Sequence, residues 1–213
     1  MPNGYRDAAH VIKGFNLLVL DLDDGTSMDM VKLLLSQYKF FMHTTKRHTE
    51  THNRFRVVLP MSHKLNLNKD DYKQFMQNVY AFLPFEVDAQ TADFARKWQT
   101  HNGKYSYSDG DLFDVIPFIP KTKAAIKQKA LLGNYTNLNN LERWVITNSI
   151  DMGRNNSLIK YAYVCVDLGQ DLNTVQNNVL ALNNKLPKPL AEQEVLSTVM
   201  ISASKKIIAR DSK

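Results

Sequence analysis

The 213-residue chain has one cysteine, Cys165, so it can form no internal disulfide and holds too little sulfur for a structural zinc site. It also lacks any apolar run near the roughly 18 residues that cross a bilayer, and its start, MPNGYRDAAH, lacks the basic-then-apolar pattern of a secretory leader. The expected setting is therefore the cytoplasm, with no membrane partner. No G-x-x-x-x-G-K-[ST] occurs, so no P-loop helicase module is expected. No repeat or low-complexity tract interrupts the chain. With 44% hydrophobic and 23% charged residues, disordered and fibrous classes are excluded.

The charge balance is uneven. Residues 1–120 hold 14 Lys and Arg against 14 Asp and Glu, whereas residues 121–213 hold 13 against 7, so the whole net charge of +6 falls in the second part. A basic surface attracts polyanions, nucleic acid above all. The pattern changes at the same place: short apolar β-type runs mixed with helices give way, beyond Pro117 and Pro120, to helical periodicity throughout. The reading is an α+β domain over 1–120 and a small all-helical domain over 121–213.

Asn16–Asp23 (NLLVLDLD) reads as a buried strand and Met28–Tyr38 as a helix. Phe40–Thr45 and Arg54–Pro60 read as an antiparallel hairpin with a long polar loop, and Lys69–Phe82 as a helix capped by Asn68. Further β-like runs are expected at Lys97–Thr100, Lys104–Ser108 and Leu112–Phe118. Beyond them the helices expected are a basic one from Lys121, then Asn137–Thr147, Asn155–Asp167, Leu172–Leu182 and Ala191–Ile208.

Asp21 and Asp23 stand at i and i+2 of a strand and so share a face, within reach of one cation, while Leu18, Leu20 and Leu22 take the other. A strand end where acids simply meet water is the plain alternative. Asp24-Gly25-Thr26 imitates the D-x-D-G-T signature of haloacid-dehalogenase-type phosphatases, but Leu22 then occupies the nucleophile position and cannot attack phosphorus. Arg54 and Arg56 share one face of their strand, a pair suited to phosphate, with His48 in the preceding loop as a further donor. His48-x-x-x-His52 lies in a polar loop without a glutamate beside the first histidine, so zinc is not expected. Asp88, expected at the end of a third strand, supplies a third carboxylate, and Arg96 follows it.

In order, LLVLDLD, TTKRHTETHNRFRVVLP and VDAQTADFAR resemble the three motifs of archaeo-eukaryotic primases, in the primase-polymerase branch of phages and plasmids. GRNNSLIKYAYVCVDLG together with NNKLPKPL resembles the helical domain that accompanies such primases. Arg47 stands where the second motif often has a hydroxyl beside its histidine. The resemblance implies an RRM-like catalytic core and primer synthesis and extension on a single-stranded DNA template from NTPs or dNTPs. It also implies two Mg²⁺ or Mn²⁺ ions on Asp21, Asp23 and Asp88, and His48, Arg54, Arg56 and Arg96 on the nucleotide. A separate replicative helicase is the expected partner. Lys121, Lys123, Lys127, Lys129, Arg154, Lys205 and Lys206 are the candidates for holding the template. A non-catalytic nucleic-acid-binding replication protein with the same fold is the alternative, and a nuclease with a similar acidic site a third reading.

Overall fold

Strict alternation along the strands decides the fold of the first part. In the computed structural model, which describes residues 11, 14–123, 125–126 and 139–212, β1 (Phe15–Leu22) buries Leu18, Leu20 and Leu22, and β3 (Phe55–Leu65) buries Phe55, Val57, Leu59 and Met61. β2 (Phe40–Thr44) buries Phe40 and Met42 likewise. One side of the pleat is thus apolar and sealed, and the other is left open. With β4 (Tyr105–Ser108), these strands form a four-stranded antiparallel sheet in the order β1-β3-β2-β4.

Among the described residues, α1 (Met28–Leu34) and α2 (Lys69–Phe82) belong with this sheet in sequence. In α1 (Met28–Leu34), Ser27 caps the first turn by accepting the Met30 N–H at 3.0 Å. The helix stops short of the expected Tyr38, because Lys39 N–H and Asp111 N–H are drawn into hydrogen bonds with Asp111 O and Gln37 O that a continued helix would forbid. In α2 (Lys69–Phe82), Asn68 accepts the Asp71 N–H at 2.9 Å, and Phe75, Met76, Val79 and Phe82 enter the core. Phe15 meets Tyr72 and Phe75 edge-on, with ring centroids 5.2 and 5.9 Å apart.

Of the three later β-like runs only Tyr105–Ser108 becomes a strand. Residues 97–100 take no regular structure. Residues 112–118 make one bridge, Phe113 to Met61, before a 3₁₀ turn at Ile116–Phe118, where Asp114 Oδ1 accepts the Ile116 N–H. Phe113 and Phe118 are spent on an aromatic cluster with Phe82 rather than on a ladder. The architecture is mixed α+β.

By compactness the chain divides between Asn134 and Tyr135, later than the change of pattern at 120. Lys121, Lys123, Lys127 and Lys129 then fall with the first unit, Met1–Asn134, which holds 18 Lys and Arg against 14 Asp and Glu, and the second holds 9 against 7. Most of the expected basic helix lies outside the described residues, including Lys127 and Lys129. Its first residue, Lys121, has φ +64° and is not helical.

The second unit, Tyr135–Lys213, comprises α3 (Asn140–Asn148), α4 (Arg154–Asp167), α5 (Leu172–Asn184), α6 (Glu192–Glu194), a π-helical segment (Val195–Val199) and α7 (Met200–Asp211). α4 is central, packing on α3, α5 and α7. The two motifs singled out in this part of the sequence meet each other. Asn183, buried, donates Nδ2 to Leu190 O and accepts Leu190 N–H, both at 2.9 Å, closing the loop N-K-L-P-K-P-L onto itself. Gly153 opens α4 at φ +82°, and Arg154 beside it donates to Lys188 O at 3.0 Å in that same loop. Asn155 accepts the Thr198 hydroxyl at 3.1 Å.

Two measurements check this packing. Asn183→Ala leaves the Leu190 N–H and C=O without their buried partner and should lower the unfolding free energy by about 1–3 kcal/mol in urea titrations. Burial pushes the Cys165 thiol up to about 11. Its folded value therefore exceeds its unfolded one, so the group costs no stability below pH 8, and stability is lost as pH rises from the unfolded to the folded value. Cys165→Ser should flatten that decline between pH 8 and 10, and native Cys165 should resist aromatic disulfide reagents at pH 8 unless denaturant is added.

Candidate functional site

The open side of the sheet carries the chemistry. Cross-strand register sets Asp21 of β1 opposite Arg56 of β3, and Arg56 opposite His43 of β2. Arg56 Nε lies 3.2 Å from Asp21 Oδ1, an ion pair whose angle falls short of a hydrogen bond, with both side chains only 15% exposed. The far end of the guanidinium donates to Gln99 O, and its plane lies 5.1 Å from the centre of the Trp98 ring, where Arg96 approaches at 5.4 Å. Burial pushes the Asp21 carboxyl above its ordinary value against the pull of Arg56 and Arg96, and the nearby Asp88 carboxylate pushes it the same way as burial.

Asp88 reaches this place by tertiary contacts. It is not at a strand end, as the motif implied, but caps a 3₁₀ turn (Ala89–Ala92), its Oδ1 accepting the Gln90 N–H at 2.9 Å. The turn is anchored by the Tyr80 hydroxyl of α2, 2.8 Å from the buried Thr91 hydroxyl. The Asp88 N–H then donates to Asp21 O at 2.9 Å, which locks the two acids side by side.

Asp21, Asp23, Asp88, Arg54, Arg56 and Arg96 line one cavity of about 670 Å³. The same cavity takes in residues that were not among the sequence candidates: Lys46 and Arg47 from the β2–β3 loop, Gln99 and Thr100 from the stretch read as a strand, and His101 just beyond it. The adjacent cations Lys46-Arg47 were the legible signal for the first pair. Five cations thus face three carboxylates. His48 is not in the lining: its Nδ1 accepts the Arg54 N–H at 3.2 Å and its own N–H donates to Thr45 O, so it shapes the loop that presents Thr45, Lys46 and Arg47. His52 pins the same loop to β1, its Nε2 2.9 Å from Asp23 O. Asp24 is turned to Thr26, whose N–H and hydroxyl it accepts at 2.9 and 2.8 Å.

Carboxylates are the donors that hard divalent cations take, and the three acids share one cavity. Among the described residues, however, no three His, Cys, Asp or Glu side chains converge as a ready metal cage. The reason is visible in their partners, since Asp21 is turned to Arg56 and Asp88 to the Gln90 N–H. The donor set suits the ions in kind, and an ion would have to draw these oxygens from their present partners.

The described residues among the proposed template-holding cations belong to both units. Lys121 pairs with Asp71 at 3.2 Å, Lys206 with Asp167 at 2.7 Å, and Arg154 holds the 188–189 loop. Lys123 and Lys205 are exposed.

Comparison with known protein families matches residues 1–147 to the VapE N-terminal domain. No curated protein and no solved structure matches.

The stacked position of Trp98 yields a direct assay of the site. Trp144, the other tryptophan, is fully buried in the second unit, so Trp144→Phe leaves Trp98 as the sole indole reporter. Titration with a nucleoside triphosphate should then change Trp98 emission, and Arg96→Ala should abolish most of that response.

Proposed function

The chain belongs to the VapE N-terminal domain family, found in replication-associated proteins of phages and plasmids, and from that premise we propose that it is a primase-polymerase. It would synthesise primers and extend them on single-stranded DNA by nucleotidyl transfer. The observation that carries the reading is the single cavity in which Asp21, Asp23 and Asp88 lie among Lys46, Arg47, Arg54, Arg56 and Arg96. An acidic centre rimmed by a surplus of cations suits a polyphosphate substrate that brings divalent ions with it. The order β-α-β-β-α-β among the described strands and α-helices α1 and α2 is the order expected of an RRM-like primase core, although the last strand pairs with β2, and the segment after α2 reaches β1 through the Asp88 N–H.

On this reading Asp21, Asp23 and Asp88 hold two Mg²⁺ or Mn²⁺ ions. The chemistry these supply when bound is activation of the 3′-hydroxyl and neutralisation of charge on the transferred phosphoryl group. Arg54, Arg47 and Lys46 bind the triphosphate of the incoming NTP or dNTP as charge-assisted donors. Arg96 lines the cavity as well, and the Trp98 ring, against which Arg56 and Arg96 both lie, orients Arg56. His48 acts indirectly by fixing the loop. A separate helicase would open the duplex ahead of the enzyme. The second reading, a non-catalytic nucleic-acid-binding replication protein, is favoured by one observation: Asp21 is already ion-paired and the three acids do not converge.

Incubation of the full chain with single-stranded DNA, labelled nucleotides and Mn²⁺ separates the readings. Lengthened products support synthesis, shortened ones a nuclease, and unchanged ones the non-catalytic reading. Asp21→Asn and Asp88→Asn should each remove nearly all incorporation, whereas Asp24→Asn, at a residue engaged with Thr26, should leave it near normal. Arg54→Ala should weaken nucleotide binding roughly 10- to 150-fold, the loss of a charge-assisted contact of about 1.5–3 kcal/mol.

A further inference from the structure

The open face of the sheet extends past the cavity as an aromatic surface. Residues directly opposite in an antiparallel pair share a face, so Asp21, Arg56, His43 and Tyr105 form one row across all four strands. In the next row along, Phe41 stands opposite Tyr107. These rings are uncovered: Phe41 is 44%, Tyr105 69% and Tyr107 70% exposed. They are also ordered among themselves. Phe41 lies against His43 at 5.8 Å with planes 30° apart, and against Tyr105 at 6.2 Å with planes 27° apart.

We propose that this aromatic face binds single-stranded nucleic acid by stacking bases on Phe41, Tyr105 and Tyr107, and so leads the strand toward the acidic cavity. Three observations select this occupant. The rings of Phe41, His43 and Tyr105 are near-parallel and Tyr107 stands opposite Phe41, so the face presents planar surfaces suited to planar partners, and base–aromatic stacking tolerates any sequence because every base has such a face. The face is continuous with the cavity, since the row that ends at Tyr105 begins at Asp21 and Arg56. The adjoining cavity carries five cations against three acids, which suits a phosphate backbone running beside stacked bases. The proposal deepens the primase-polymerase reading and rests on it for the strand's role as template. It also moves the template from the lysines of the second part of the chain to the sheet that holds the site.

The test is fluorescence anisotropy of the full chain with a fluorescein-labelled oligodeoxythymidine of about 12 nucleotides. Tyr105→Ala and Tyr107→Ala should each weaken binding roughly 5- to 150-fold, the effect of losing one stacked base. The fold-loss should be the same at low and high salt, because stacking releases no counterions. Tyr107→Trp should retain the affinity and show quenching by the oligonucleotide. Circular dichroism unchanged in the alanine variants, whose side chains lie outside the core, would establish that the fold is kept.

The proposal is overturned if the unaltered chain does not bind the oligonucleotide, or if the Tyr105→Ala/Tyr107→Ala double variant binds as tightly as the unaltered chain. It is also overturned if these substitutions change only the sedimentation of the protein, which would assign the face to a second copy of the chain. Failure here differs from failure of the catalytic reading. Loss of oligonucleotide affinity in the aromatic variants of a chain that incorporates no nucleotide removes the enzyme and keeps this surface. Normal affinity in aromatic variants of a chain that does extend primers removes this surface alone.

Discussion

The ion pair between Asp21 and Arg56 is the contact on which the site depends. Asp21 is the last residue but one of β1 and Arg56 the second of β3, so the pair can form only if the two strands meet in the register they do. A slip of one residue in either strand would send that strand's charge to the apolar layer and leave the other charge without its partner. Such a pair adds little net stability, because taking two charges out of water offsets most of their attraction. It does set geometry. Arg56, held at one end by Asp21, reaches Gln99 O and the Trp98 ring at the other, and so fixes a loop with no regular structure as the far wall of the cavity.

Asp88 shows how a second, quite different constraint completes the centre. Its carboxylate helps push the Asp21 carboxyl above its ordinary value, so the two charges oppose one another, yet the Asp88 N–H donates to the Asp21 carbonyl and the Tyr80–Thr91 hydroxyl contact braces the turn. The backbone thus enforces a proximity that the side chains oppose. Surplus cations nearby lower its cost. Placing unfavourable charge where the scaffold can hold it is the usual signature of a site shaped for binding rather than for stability.

This division explains what the sequence disclosed. β1, β2 and β3 were legible because period-two burial is written directly in Leu18-Leu20-Leu22 and Phe55-Val57-Leu59, and α2 because Asn68 caps an apolar stripe. Asp21, Asp23, Arg54 and Arg56 followed from the same alternation. Asp88 was found as a residue and misjudged in its setting, since its place depends on a hydroxyl contact from α2 that no local pattern encodes. The runs at 97–100 and 112–118 have strand-like composition, but Trp98 is engaged by arginines and Phe113 by other rings, and tertiary packing outweighed propensity. His48 braces its loop through the Arg54 N–H, a backbone partner invisible to motif reading. In the second unit, Gly153-Arg154 and Asn183 to Leu190 were recognisable as spaced motifs, and their meaning is a closed loop tied to the start of α4.

The pleat allows all this to coexist in a small sheet. Stability is drawn from the covered face, where Leu18, Leu20, Leu22, Phe55, Val57 and Leu59 are at most 1% exposed. Residues on the opposite face are therefore released from packing duty, and successive positions on one strand can be chosen for unrelated purposes. Along β2, Phe40 and Met42 serve the core while Phe41 and His43 present rings to solvent. Along β3, Arg56 sits between two core residues without disturbing either. An acidic centre, its cationic rim and an aromatic surface can then lie on one continuous face, because none of them is asked to hold the sheet together.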